Sequence, residues 1–172
     1  MLRRNYDRST ATTEGKARAD AVFAIIVSLF AGLPLGAAAG GITERIVVDR
    51  HTGLAIGGYD PVAFYTDGKP LLGSADFELQ YGGAVWRFCN FGNRAAFAER
   101  PDVYMPQFGG YDPVGVARGV AVAGRPDVWL ISDGRLFLFY DSHRLETFAA
   151  DPDRFSSAAE RKWPEILRTL SP

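Results

Sequence analysis

Tyr81-Gly-Gly-Ala-Val-Trp-Arg-Phe-Cys-Asn90-Phe-Gly-Asn-Arg-Ala-Ala-Phe97-Ala-Glu-Arg-Pro101-Asp-Val-Tyr104 is the stretch from which the rest of this chain is read. Ala84, Trp86 and Phe88 alternate with Val85, Arg87 and Cys89, the period-two pattern of a half-buried strand. Trp86 and Phe88 are expected to face the core, with Cys89 on the other face at the strand's end. Gly82-Gly83 reads as a two-residue hairpin loop, because both glycines tolerate positive φ. Its partner strand starts near Asp76, with Phe77, Leu79 and Tyr81 on one face and Glu78 and Gln80 on the other. Downstream, Asn90 is placed to cap a helix from Phe91 to about Arg100. Phe91, Ala95 and Ala98 fall on one stripe of that helix beside Phe97, and Pro101 is expected to end it.

Two copies of one hexapeptide bracket this stretch, Gly57-Gly-Tyr-Asp-Pro-Val62 and Gly109-Gly-Tyr-Asp-Pro-Val114. In each, Asp accepts a hydrogen bond from backbone two residues on, while Pro presets φ for a turn or a first helical position. Before the first copy, Ile46, Val47 and Val48 predict a strand within residues 42–48; after it, Val62 to Tyr65 predict a short buried turn closed by Asp67-Gly68. A second hairpin is expected from Val128 to Ile131 and Leu136 to Tyr140 around Asp133-Gly134, and its near-continuous apolar character implies that both faces are covered. Ser142 or Asp141 caps a helix containing Leu145 and Phe148. Asp151-Pro152 opens a last helix to about Leu170, which Pro164 is expected to kink or divide. The order of elements predicts an α+β fold with two antiparallel hairpins packed against helices, in one small domain over residues 41–172.

With 172 residues and 47% hydrophobic content there is material for one ordinary core. A formal net charge of -1, with Lys and Arg scattered, supplies no basic field for nucleic acid. Residues 1–20 are polar and rich in Arg, and Ala21 to Gly41 carries no charged residue. Residues 1–40 therefore predict either a signal peptide with an Ala-x-Ala cleavage site at Ala37 and Ala39, or an N-terminal membrane anchor through 21–40. The remainder is expected in the periplasm or on the outer face of the inner membrane. With Cys89 the chain's one cysteine, no intrachain disulfide, dithiol pair or multi-cysteine zinc site can form.

Cys89 is the one soft ligand or reactive thiol on offer, set against the ordinary reading of a small packed hydrophobe. Arg87 shares its expected face and would favour the thiolate. Asp60 and Asp112 occupy matching places and, if brought together, could bind a hard cation or do acid/base work; each is equally a good turn or cap builder. His51 and His143 have no ligand-like spacing, and Tyr59, Tyr111, Trp86 and Phe108 read as core or turn packing. The sequence contains no Ser-His-Asp pattern, phosphate loop or cofactor fingerprint.

The segment from Gly58 to Pro164 resembles the YHS domain family in its exported bacterial branch. The resemblance rests on Gly58-Tyr-Asp-Pro-Val-Ala-Phe64, Gly73-Ser74, Trp86-Arg-Phe88 leading to Asn93 and Phe97, Pro101 to Tyr104, Pro106-Gln-Phe-Gly-Gly-Tyr111, Gly115-Val116, the Asp133-Gly134 hairpin and Trp163-Pro164. It implies a small α+β domain associated with heavy metals, found in copper-transporting ATPases, some monooxygenases and stand-alone exported proteins. Metal-associated relatives carry cysteines where this chain has Ala63, Cys89 and Asn93, and exported relatives often carry cysteine or selenocysteine where it has Asp112. The expectation is an exported, non-enzymatic binding module for a metal ion, a small ligand or a protein partner in the envelope. Copper or zinc would be held weakly at an open-sided site on Cys89, helped by Asp60, Asp112 or an incoming ligand. The alternatives are a single-cysteine redox protein using Cys89, and a structural or protein-interaction domain with a decayed metal site.

Overall fold

Hydrogen bonding around the two hexapeptides builds one local structure twice. The computed structural model describes residues 44–170, which belong to one compact unit; residues 1–40, where a signal peptide or membrane anchor is expected, lie outside the described residues. Each copy opens with a 3-10 turn, Ile56–Gly58 or Gln107–Gly110, and a short helix follows the Asp-Pro pair: α1 (Ala63–Thr66) or α4 (Pro113–Ala117). An antiparallel hairpin comes next, β1 (Ser74–Tyr81) with β2 (Ala84–Phe88), or β3 (Arg125–Ser132) with β4 (Arg135–Phe139). A capped nine-residue helix closes each copy, α2 (Phe91–Glu99) or α5 (Ser142–Ala150). A proline-started helix then follows, α3 (Pro101–Tyr104) or α6 (Pro152–Leu167). The fold is α+β, with two separate two-stranded sheets.

The correspondence runs at an offset of 51 or 52 positions. Asp60 N donates to the Leu71 carbonyl and Asp112 N to that of Val122, both at 2.8 Å. Gly73 N donates to Gly58 and Gly124 N to Gly110, both at 2.9 Å. Tyr59 pairs with Leu72 as Tyr111 pairs with Ala123. Even the unusual backbone recurs: Ile56 and Phe108 hold φ of 42° and 55°, a region that non-glycine residues enter only at a cost.

The two hairpins close at Gly82-Gly83 and at Asp133-Gly134, and all four residues have positive φ, as two-residue turns between twisted strands require. Trp86 and Phe88 are fully buried, and Trp86 satisfies its indole N–H on the Tyr81 carbonyl at 3.0 Å. Asn90 and Asp141 cap α2 and α5 by accepting from Asn93 N and Arg144 N, each at 2.9 Å. Asp151 caps α6 from Arg154 N at 3.3 Å.

Several expectations are corrected. Ile46 to Val48 form no strand, only a bridge from Val48 to Ala55, because Val47 spends its N–H on Gly109 and its carbonyl on Ile56. Phe91, Ala95 and Ala98 are exposed; α2 turns Asn93 and Phe97 inward instead. Pro101 does not simply stop a helix, since it is the first residue of α3. Pro164 lies inside an unbroken α6 that ends at Leu167; its position is exposed, so the carbonyl it leaves unpaired can bond water.

The core has two clusters. The first gathers Ile56, Val62, Phe64, Trp86, Phe88 and Phe97 with Leu136 and Leu138. The second gathers Phe108, Val114, Val116, Phe137, Phe139 and Phe148 with Ile166 and Leu170. Hairpin β3/β4 therefore stands between the clusters and buries both faces, as its apolar run implied.

Candidate functional site

The first Asp-Pro turn places a carboxylate inside the protein. Asp60 is fully buried, and four neutral donors surround it. Its Oδ1 accepts from Val62 N at 2.8 Å and Ala63 N at 3.3 Å, closing the turn that starts α1. Its Oδ2 accepts from Cys89 N and Asn93 Nδ2, each at 2.7 Å, and so ties the end of β2 and the first turn of α2 to that turn. A carboxylate offers about four lone-pair positions, and the surroundings use all of them.

The second copy repeats this arrangement with a different charge balance. Asp112 is also fully buried, and its Oδ1 accepts from Gly115 N at 2.8 Å. Its Oδ2 accepts from Tyr140 N at 2.9 Å, Tyr140 occupying the place of Cys89. The place of Asn93 is taken by Arg144, whose guanidinium stands 3.5 Å from Asp112 Oδ1. Asp112 thus has a cation beside it, whereas every direct partner of Asp60 is uncharged.

The structure brings Asp60 and Cys89 together and gives Asp112 a separate set of partners. The Cys89 thiol is partly buried and donates to the Leu72 carbonyl at 3.5 Å. Leu72, whose carbonyl accepts from the sulfur, is itself exposed to 65%. Burial, then the negative charge of Asp60 and its hydrogen bond, push the thiol up to about 11. Arg87 does not counter this. Its Nε is bound to Glu78 across the hairpin at 2.8 Å, so the expected promotion of the thiolate gives way to the protonated thiol.

No family model, curated protein or solved structure matches this chain.

The other candidates have structural surroundings. His51 and His143 are exposed. Tyr111 is buried and donates through its hydroxyl to the Glu44 carbonyl; burial and the charge of Glu44 push that phenol up to about 12. It borders an open cleft of about 460 Å³ lined also by Ile46, Val48, Arg50 and Ala123, at a distance in the fold from Cys89 and Asp60, neither of which lines it. Phe108 packs on Trp163. Among the described residues no three His, Cys, Asp or Glu side chains stand together as a cation-binding group. The residue that sequence reading missed is Asn93, whose amide reaches across to Asp60. The spacing carried no clear signal, since Asp60 to Asn93 spans 33 positions and Asp112 to Arg144 spans 32, with a different residue type at the far end.

Proposed function

We propose that this chain is an exported, non-enzymatic binding module of the YHS type, and that its contact with a ligand is centred on Cys89. The observation that carries this reading is the placement of Cys89 just after β2, its N–H held by buried Asp60 and its thiol on the carbonyl of exposed Leu72. A part-exposed sulfur suits a soft ligand better than a hard cation.

The donor set does not fit a closed zinc or copper site. Such a site takes three or four protein ligands, and both Asp60 and Asp112 are buried with their oxygens engaged by donors of the fold. In this reading a metal at Cys89 would meet one thiol sulfur, the neighbouring Leu72 carbonyl and ligands it brings itself. Asp60 would act through its charge. The metal would also have to displace a thiol proton held well above its ordinary range, so loading would be weak at neutral pH and improve as pH rises. The same raised thiol weighs against the redox alternative, because the thiolate is the form that reacts.

Elemental analysis of the domain purified from its own compartment, together with thermal unfolding of wild type and Cys89→Ser with added copper or zinc and with chelator, tests the proposal. The expected result is a fold indifferent to chelator and a small metal effect confined to wild type. A large metal-dependent stabilisation lost on substitution would mean a closed site, and equal indifference in both proteins would remove metals from the proposal. Export is tested by sequencing the N-terminus of the native protein. An intact Met1 on a cytoplasmic protein would overturn it.

A further inference from the structure

Hairpin β3/β4 divides its side chains between the two core clusters by strict alternation. Val128, Leu130, Phe137 and Phe139 face the second cluster, while Trp129, Ile131, Leu136 and Leu138 face the first. Across the strands, Trp129 pairs with Leu138 and Ile131 with Leu136. In the first repeat the same register holds Glu78 opposite Arg87 and Gln80 opposite Val85. That face is polar: Glu78 and Arg87 form an ion pair at 2.8 Å, and Gln80 is exposed. The β3/β4 face that joins the first core cluster is apolar, and the corresponding face of β1/β2 is polar.

The receiving surface is also duplicated. On the first repeat it consists of Ile56, Val62 and Phe64, which meet hairpin β3/β4, with Phe64 edge-on to Trp129 at 5.2 Å between ring centroids. The second repeat carries Phe108, Val114 and Val116 at the equivalent places, and among the described residues no third hairpin covers them. α6 lies there instead. It extends far past its counterpart α3, and its Trp163 meets Phe108 at 5.6 Å and Tyr111 at 6.0 Å, while Ile166 and Leu170 join the cluster containing Val114 and Val116. Trp163, Ile166 and Leu170 thus supply to the second repeat what Trp129, Leu136 and Leu138 supply to the first.

We infer that the end of α6, from Trp163 onward, is an intramolecular cap on a hairpin-docking surface, and that this surface accepts a hairpin with the face of β3/β4 from a second copy of the chain once the cap is loosened. Repeats packed head to tail have no built-in stop and need atypical ends to stay finite. Here the polar face of β1/β2 closes one end and α6 the other, and these two devices keep the wild-type chain from stacking on itself.

The test uses full-length chains. An acceptor carries Trp163→Ala and Ile166→Ala, which loosen the cap. A donor carries Glu78→Trp, Gln80→Ile and Arg87→Leu, which give β1/β2 the docking face of β3/β4. Sedimentation of each variant alone, of the mixture, and of donor with wild type is compared, with circular dichroism as the check of folding. The expected result is a one-to-one complex in the donor and acceptor mixture, at least about tenfold tighter than any association of donor with wild type. A chain carrying all five substitutions should form open-ended oligomers that lengthen with concentration. Folded variants that stay monomeric when mixed would overturn the inference, as would a donor that binds wild type as well as it binds the acceptor. An acceptor that unfolds altogether would show the end of α6 to be core rather than cap, with the same consequence. If the triple donor fails to fold, Glu78→Leu with Arg87→Leu carries the same comparison.

Discussion

Asp60 and Asp112 perform the same task in the two repeats: each buried carboxylate caps the turn after its own Asp-Pro and also accepts from the backbone N–H at the end of the following hairpin, Cys89 at 2.7 Å and Tyr140 at 2.9 Å. One side chain thereby fixes where the hairpin lies relative to the turn. Removing it leaves several buried donors without partners, and each such group costs about 1–3 kcal/mol. Asp60→Ala and Asp112→Ala are each expected to destabilise by about 3 kcal/mol or more in denaturant unfolding, with Asp60→Asn intermediate because one acceptor oxygen is kept. A loss below about 1 kcal/mol for Asp60→Ala would show that the hairpin is placed by packing alone.

Gly73 and Gly124 occupy equivalent positions where the chain passes hard against backbone. A Cβ at Gly73 would stand 2.4 Å from both Arg87 C and Phe88 N, and one at Gly124 would stand 2.7 Å from Gly110 O and Leu138 C. Neither neighbour is a flexible side-chain end that could move aside. Gly73→Ala and Gly124→Ala are expected to cost more than about 3 kcal/mol or to abolish folding, beyond the usual penalty for overpacking. Gly119→Ala is the control. Its site is open, so only the positive φ of 81° opposes the change, at about 1 kcal/mol. Equal effects at all three glycines in thermal unfolding would refute the close-approach argument.

Much of this was legible from local chemistry. Gly82-Gly83, Asp133-Gly134, Asn90 and Asp151-Pro152 act through their own backbone neighbours, so their roles follow from the residues beside them. The errors lie where a distant partner decides. Phe91, Ala95 and Ala98 made an apparent apolar stripe on α2, but Asp60, remote in sequence, draws Asn93 inward and rotates the helix to bury Phe97. Arg87 sits two residues from Cys89, yet Glu78 on the opposite strand holds its guanidinium. The repeat itself was read from the hexapeptide, its longest contiguous match. Beyond it, residue type is kept at scattered places such as Gly73 and Gly124, Phe88 and Phe139, Phe97 and Phe148, and Pro101 and Pro152, while Cys89 and Tyr140, or Asn93 and Arg144, share only their geometry.

Arg144 gives Asp112 a cation that Asp60 lacks, and the difference can be measured. The Arg144 guanidinium lies 3.5 Å from Asp112 Oδ1 and is itself largely sheltered. Arg144→Ala is expected to destabilise by about 1–3 kcal/mol, whereas Asp112→Asn in the Arg144→Ala background should cost less than in wild type. A double-mutant cycle by chemical unfolding gives the coupling directly. Strict additivity would show that the two side chains do not interact, and that the donors Gly115 N and Tyr140 N alone satisfy Asp112.

The Cys89 thiol ties Asp60 to a pH dependence whose sign is fixed. Burial first, and the Asp60 charge and hydrogen bond after it, raise the thiol to about 11 in the folded chain, against about 8.5 for a free cysteine. Between those values the folded state keeps a proton that the unfolded state has lost. The stabilisation is therefore fully present below about pH 8.5 and is lost as pH rises through about 11. Wild type should accordingly lose stability over that window more steeply than Cys89→Ala, measured as the shift of the denaturant midpoint. Alkylation of the folded protein should be slow at pH 8 and accelerate towards pH 11, because the thiolate is the reacting form. Asp60→Asn removes the charge and should bring the onset of alkylation to lower pH, provided exchange-protected amides confirm that the variant is folded. An onset near pH 8.5 in wild type would show that neither burial nor the carboxylate raises the thiol, and an onset that Asp60→Asn leaves unmoved would break the electrostatic link and leave Cys89 governed by burial alone.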